Sequence, residues 1–367
     1  MGKLRSAARV SGVLVAALIL YLFFWPVPIS PVSWDAPRSN GLIDPFEPND
    51  RLARARLIEL GSHEGPEDIA MGPDGRVYTA TSDGNVLRFA QNGANVEVFA
   101  NAGGRPLGME FDGDGNLILA NAHLGLQKIS PAGEVTVLAD EYGGAKIAYP
   151  DDLAIADDGM IYFSDASAKF GASNNGGSYQ ASLLDLMEHG GHGRVFRYDP
   201  TSGETSLVID GLNFANGVAV SEDQQYILIS ETGAYRILRY WIAGPNSGTL
   251  DVILDNLPGV PDNINNGLSG KFWVGLVAPR IDRFDAMSDK PWLRKLVQRL
   301  PAAFRPRVIP SSHVIAISGD GDVLMNLQDT SARMPALTGV MESRDALWLS
   351  SLFGNRAGRL DKQTLAN

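Results

Sequence analysis

From about residue 51 onward the sequence repeats one short pattern six times. A chain that repeats at this period stacks like units rather than folding as unlike domains. Each unit opens at or near a proline or aromatic residue: Pro66-Glu67-Asp68-Ile69, Pro106-Leu107-Gly108-Met109, Pro150-Asp151-Asp152-Leu153, Phe214-Ala215-Asn216-Gly217, Pro261-Asp262-Asn263-Ile264 and Pro335-Ala336-Leu337-Thr338. A turn follows, Asp74-Gly75, Asp114-Gly115 or Asp158-Gly159 in the first three, then a second apolar run such as Val77-Tyr78-Thr79-Ala80 or Leu347-Trp348-Leu349-Ser350. Asp-Gly between alternating apolar runs signals a hairpin; Asp112 to Asn116 is read the same way, not as a calcium loop. Five units close on a fourth run, but the sixth ends near Leu360 without one, while Arg56-Leu57-Ile58-Glu59-Leu60 ahead of the first unit has the missing pattern. The expectation is an all-β, six-bladed β-propeller over 51–367 whose N-terminal strand closes the last blade. Closure removes the free edge a linear array would expose.

Composition narrows the partners. Lys+Arg total 31 against 42 Asp+Glu, a net charge of −11 that argues against a nucleic-acid binder. The absence of cysteine excludes a disulfide scaffold, a zinc-thiolate site and a cysteine nucleophile. No Gly-x-Ser-x-Gly elbow or phosphate-cradling glycine loop is present.

Ahead of the repeats, Lys3, Arg5 and Arg9 precede an apolar run from Val10 to Trp25, which Ala7, Ala8 and Val27 extend. Its bulky end, Leu22-Phe23-Phe24-Trp25, argues for an uncleaved signal anchor rather than a cleaved signal peptide. The expectation is one transmembrane helix within 1–27, a tether over 28–50, a cytoplasmic N-terminus and a propeller on the periplasmic, lumenal or extracellular side. Two units carry inserts, 170–192 and 279–310. The second holds eight basic residues and three Asp, hence +5 against −16 for the rest of the chain. Its Trp292, Leu293, Leu296, Val297 and Leu300 have helical spacing. Such a helix either packs on the propeller or lies on a membrane surface.

The first strand of each blade lines the central channel, and four of the six carry oxygen donors there: Glu67 and Asp68, Asp151 and Asp152, Asn216, and Asp262 and Asn263. Converging buried carboxylates repel unless neutralised. A donor set of oxygen alone suits Ca²⁺. His123 follows the second strand of blade two and is a candidate general base; His189 and His192 lie in the first insert, within reach of the same mouth.

From Pro150 to about Pro301 the sequence resembles the strictosidine synthase-like family, most of all its adipocyte plasma membrane-associated protein branch. The residues that carry this include Ile161-Tyr162-Phe163-Ser164-Asp165, Leu183-Leu184-Asp185-Leu186-Met187-Glu188, Phe214-Ala215-Asn216-Gly217-Val218, Ser230-Glu231-Thr232 and Pro261-Asp262-Asn263-Ile264. The resemblance implies a six-bladed propeller held outside the membrane by a single N-terminal anchor. It also implies kinship with paraoxonases and gluconolactonases, calcium-dependent hydrolases of esters and lactones. Carried over, their calcium ligands match Glu67, Asn216, Asp262 and Asn263, with Asp151 where paraoxonases have Asn. Asp68 and Asp152 match a second, structural ion, and His123 matches their base, without a clear match for its histidine partner. Strictosidine synthase uses a glutamate in the last blade for Pictet–Spengler condensation; that position falls near Thr338, and no carboxylate replaces it.

The reading is therefore a membrane-anchored, calcium-dependent arylesterase- or lactonase-like hydrolase of small hydrophobic esters or lactones. In it Glu67, Asp151, Asn216, Asp262 and Asn263 hold the metal, and His123 or Asp262 activates water. The membrane is met through the N-terminal helix and the 279–310 insert. Two alternatives stay open: a strictosidine synthase-like condensation enzyme and a non-catalytic binding propeller.

Overall fold

A computed structural model describes residues 2–305 and 307–365; Lys3, Arg5, Ala7 and Ala8 of the expected anchor lie outside the described side chains. The repeats form six four-stranded antiparallel sheets. Their innermost strands are Ile69–Met71, Pro106–Phe111, Pro150–Ile155, Ala215–Val220, Gly259–Asn266 and Leu337–Glu342, and each lies beside the next around the ring. The molecule is a six-bladed β-propeller. Its last blade is completed by the N-terminal strand Arg56–Glu59, which pairs antiparallel with Arg356–Asp361.

What holds the ring together lies between the blades. One face of each sheet packs on its neighbour, so the apolar core divides into six inter-blade clusters. Trp348 of blade six meets Ile69, Val77 and Phe89 of blade one, together with Ile58 of the closing strand. Both inserts are partly helical: Ser178–Glu188 in blade three, Asp282–Asp285 and Pro291–Arg299 in blade five.

Two N-terminal features differ from the sequence expectation. Residues Gly2–Phe24 are helical, yet among the described residues no helix is long and apolar enough to cross a membrane. The apolar run from Val10 to Trp25 is interrupted at Ser11 and Gly12 and falls short of the ~20 residues a span needs. Nor is the tether a free linker. Ile29 is buried, Val32 N–H donates to Glu188 O at 2.9 Å, and Gln328 N–H donates to Asn49 Oδ1 at 3.0 Å. The segment is a strap across the first insert and the outer edge of blade five. Arg294 fastens it: its guanidinium donates to Met187 O, Glu188 O, Ser288 O and Val32 O.

His189 stacks flat on Trp34 of the strap, ring centroids 3.9 Å apart. Burial, reinforced by Arg294 and Arg236, lowers the histidine to about 3. Because the exposed imidazole titrates near 6.5, releasing the strap takes up a proton below that pH. Docking is at full strength above about pH 6.5 and weakens as pH falls toward about 3. Limited proteolysis within 26–50 should accelerate from about pH 7 to about pH 5. His189→Asn, compatible with the left-handed φ of 54° at this position, should flatten that dependence.

Candidate functional site

In five blades the pairing between the innermost strand and the next shifts register at the same place. In blade three, Asp151 and Asp152 lie between the pairs Pro150–Asp165 and Leu153–Phe163, so two residues face Ser164 alone. Such a bulge re-aims consecutive side chains. Glu67 and Asp68, just ahead of Ile69, hold the equivalent places in blade one. The first bulged residue reaches the floor of a cavity of about 460 Å³: Glu67, Leu107, Asp151, Asn216 and Asp262 all line it.

The second bulged residue lies beneath that floor. Asp68 Oδ2 accepts from Met109 N–H of the next blade at 2.9 Å, and Asp152 Oδ2 accepts from Val218 N–H at 3.0 Å. Both carboxylates thereby fasten neighbouring blades. Asn263, equivalent to them in blade five, donates from Nδ2 to Glu67 O at 3.2 Å. The alternate blades have glycine here for want of room: a Cβ on Gly108 would lie 2.3 Å from Asp152 Oδ1, and one on Gly217 2.3 Å from Ile264 N.

The floor is electrostatically frustrated. Burial pushes the Glu67 carboxyl well above its usual range, and the charges of Asp262, Asp151 and Asp68 push it further. Asp151 is raised by burial and by Asp262. Asp262 rises to about 7 through burial, opposed by the Asn216 amide, which donates to Oδ1 at 2.6 Å. The cation beside Glu67 and Asp151 is the buried Arg105, which also donates to Gly65 O at 2.9 Å. Three floor carboxylates thus face one guanidinium. In addition, Glu67 Oε2, Asn216 Oδ1 and Asn263 Oδ1 are buried without a hydrogen-bond partner. Among the described residues no three His, Cys, Asp or Glu side chains form a group that would hold a metal by themselves. A site here has to include the amide oxygens of Asn216 and Asn263. Unsatisfied amide and carboxylate oxygens together are the donor set of a hard cation such as Ca²⁺.

The expected histidines stand elsewhere. His123 does not line the cavity; its Nε2 is buried without a partner, and burial, Arg105 and Lys146 lower its basicity. His189 stacks on the strap and His192 meets Glu188 Oε1 at 2.8 Å. In blade six, Thr338 Oγ1 donates to Glu67 O at 2.5 Å. The carboxylate of that strand, Glu342, is tied to Lys271, Lys362 and Trp273.

Tyr149, Tyr235 and Arg105 add to the site beyond the residues expected from sequence. Both tyrosines line the cavity, and burial with nearby carboxylates raises each phenol above its ordinary value, so both stay protonated. Tyr235 Oη already donates to Asp285 at 2.9 Å. The signal for Arg105 and Tyr149 is positional: each stands one residue before the proline that opens its blade. The walls are apolar and come largely from the inserts, through Leu183, Leu184 and Met187 on one side and Ile281, Phe284 and Val297 on the other.

The adipocyte plasma membrane-associated protein of Salmo salar is 31% identical, matching 95% of this chain and 88% of its own length. The chain belongs to the strictosidine synthase-like family. The family's strictosidine synthase profile matches residues 151–245, and its strictosidine synthase-like N-terminal profile matches residues 44–89. A strictosidine synthase-like relative, protein 10 of that series in Arabidopsis thaliana, is 34% identical over 83% of this chain and 87% of its own. Among solved structures, a gluconolactonase from Xanthomonas campestris superposes with a TM-score of 0.61 at 20% identity, covering 92% of this chain and 99% of its own. That likeness places this strictosidine synthase-like protein among propellers of gluconolactonase type by fold.

Proposed function

We propose that the protein is a metal-dependent hydrolase of hydrophobic carboxylic esters or lactones, held at a membrane by its N-terminal helix. The observation that carries this is the cavity floor: buried carboxylates and unpartnered amide oxygens beneath apolar walls. Glu67, Asp151, Asn216, Asp262 and Asn263 are the residues that would hold Ca²⁺. When bound, that ion supplies a Lewis acid for the substrate carbonyl and its developing oxyanion. The apolar walls take the acyl or ring carbons and exclude bulk water. Asp262, on the cavity floor beside the Asn216 amide, is the proton acceptor for the attacking water. Tyr149 Oη, kept protonated, donates a hydrogen bond to the departing oxygen, which takes the proton that Asp262 received from the water. The exposed apolar side chains of Val13, Leu14, Leu20 and Phe24 on the N-terminal helix support membrane attachment.

The test is a panel of aryl esters and lactones assayed with and without a calcium chelator. Turnover should fall by about 10²-fold or more on chelation and return with Ca²⁺. Unchanged turnover in protein verified to be metal-free would sink the reading. Product from an amine and an aldehyde without metal would favour the condensation chemistry of the wider family, although blade six offers no free carboxylate for it.

A further inference from the structure

The blade-five insert does more than wall the cavity. Arg299 donates from Nε to Trp25 O at 2.6 Å and from Nη1 to Leu22 O at 3.1 Å, and Tyr21 Oη donates back to Arg299 O at 2.9 Å. The carbonyls left open at the C-terminal end of the N-terminal helix are thus satisfied by the insert. This contact sets where the helix leaves the propeller. Just beyond it, Val27 packs against the apolar cluster that holds Ile29 and Phe214, as do Phe284 and Val297 of the insert, and Pro28 lines the cavity. The helix therefore emerges from the cavity wall itself.

Around this exit lies an unusual surface. Trp25 is 61% exposed, Trp292 59% and Phe304 74%. Lys295, Arg305 and Arg307 are interspersed with them, and among the described residues none has a carboxylate partner. Pro28 and Arg307 are at once exposed and part of the cavity lining, so the mouth opens at this rim. The insert carries +5 on a chain that is otherwise −16. Exposed aromatics among unpaired cations match the headgroup layer of an anionic bilayer, where ring and charge are both accommodated.

We infer that this rim rests on an anionic bilayer and that the cavity takes its substrate from the lipid phase. The substrate class is then an ester or lactone with a chain long enough to partition into the membrane. Docking stands on the rim alone; the substrate class rests on the hydrolase reading above.

The experiment uses the full chain in phosphatidylcholine vesicles with and without phosphatidylserine. Hydrogen exchange across 291–305 and 307–309 should slow when phosphatidylserine is present. The double variant Trp292→Glu/Phe304→Glu, at exposed positions outside the cavity lining, should lose that protection. It should also lose about tenfold in kcat/KM on a long-chain ester carried in the vesicles, with a short-chain soluble aryl ester unaffected. A rim that exchanges equally in both vesicles overturns the docking, even if soluble esters are hydrolysed. A protected rim without turnover of any ester upholds the docking and overturns the substrate class.

Discussion

Replacing Glu67 by glutamine should cripple ester turnover while making the metal-free protein harder to unfold. The two effects have one origin. Glu67, Asp151 and Asp262 are buried together, and each raises the free energy of ionising the others. An amide at Glu67 relieves that repulsion but withdraws a charged donor from the proposed ion. The expected loss is about 10²–10³-fold in kcat/KM, the scale on which single electrostatic contributors to a transition state act. In chelator, the variant should melt above the wild type; in calcium the order should reverse, because only the wild type gains binding free energy. The sign of the pH dependence follows. A carboxyl raised in the folded state binds more protons there than when unfolded, so its contribution is intact below the usual value and is lost as pH rises through the folded one. For Asp262 that window runs from 3.8 to about 7. Metal-free wild type should therefore lose stability across it, and Glu67→Gln should lose less. Equal melting of the two proteins in chelator at alkaline pH would show that the cluster is not strained by its own charge.

The second large effect concerns ring closure. Trp348 is 1% exposed and packs between blade six and blade one, against Phe89 at a ring separation of 6.1 Å and beside Ile58. Trp348→Ala should cost about 3–5 kcal/mol, the scale for emptying a large core position. Ile58→Ala, in a strand held on one side only, should cost about 2–5 kcal/mol. Chemical denaturation reads both. Because these two residues share one cluster, the double variant should cost less than the sum. Full additivity would mean that strand and tryptophan do not act as one closing unit.

The ring was legible because a propeller repeats its instructions. Six segments, five opening at a proline and one at Phe214, turns at matching places and one unpaired apolar segment at the N-terminus suffice to count blades and to say how they close. The floor of the cavity was half legible. Residue types at the start of each blade announce oxygen donors, but period alone cannot show that a bulge divides each adjacent pair. That division puts Glu67, Asp151 and Asp262 on the floor and Asp68 and Asp152 beneath it, where they hold Met109 and Val218 of the next blades. Arg105 and Tyr149 escaped notice because one position upstream of a strand looks like loop. His123 shows the converse: a plausible sequence neighbourhood whose ring is outside the cavity lining and has its basicity lowered by Arg105. The strap was the least legible element. Its Pro- and Asn-rich composition reads as linker, and only contacts distant in sequence, from Glu188, His189, Arg294 and Gln328, turn it into packed structure.

The outer strand of blade six is the first of the propeller's strands to be synthesised, and its partner, Arg356–Asp361, is the last. A nascent chain thus carries Arg56–Glu59 unpaired, and Ile58 without Trp348, until some three hundred further residues have been made. Blades one to five can form as they emerge, since each is local in sequence. The ring cannot shut before Arg356–Asp361 has been made, and the long-range pairing of Arg56 with Arg359 makes closure the step with the greatest loop entropy to overcome. A chain truncated before residue 356 would retain most of its blades but leave two apolar edges facing each other across an open seam.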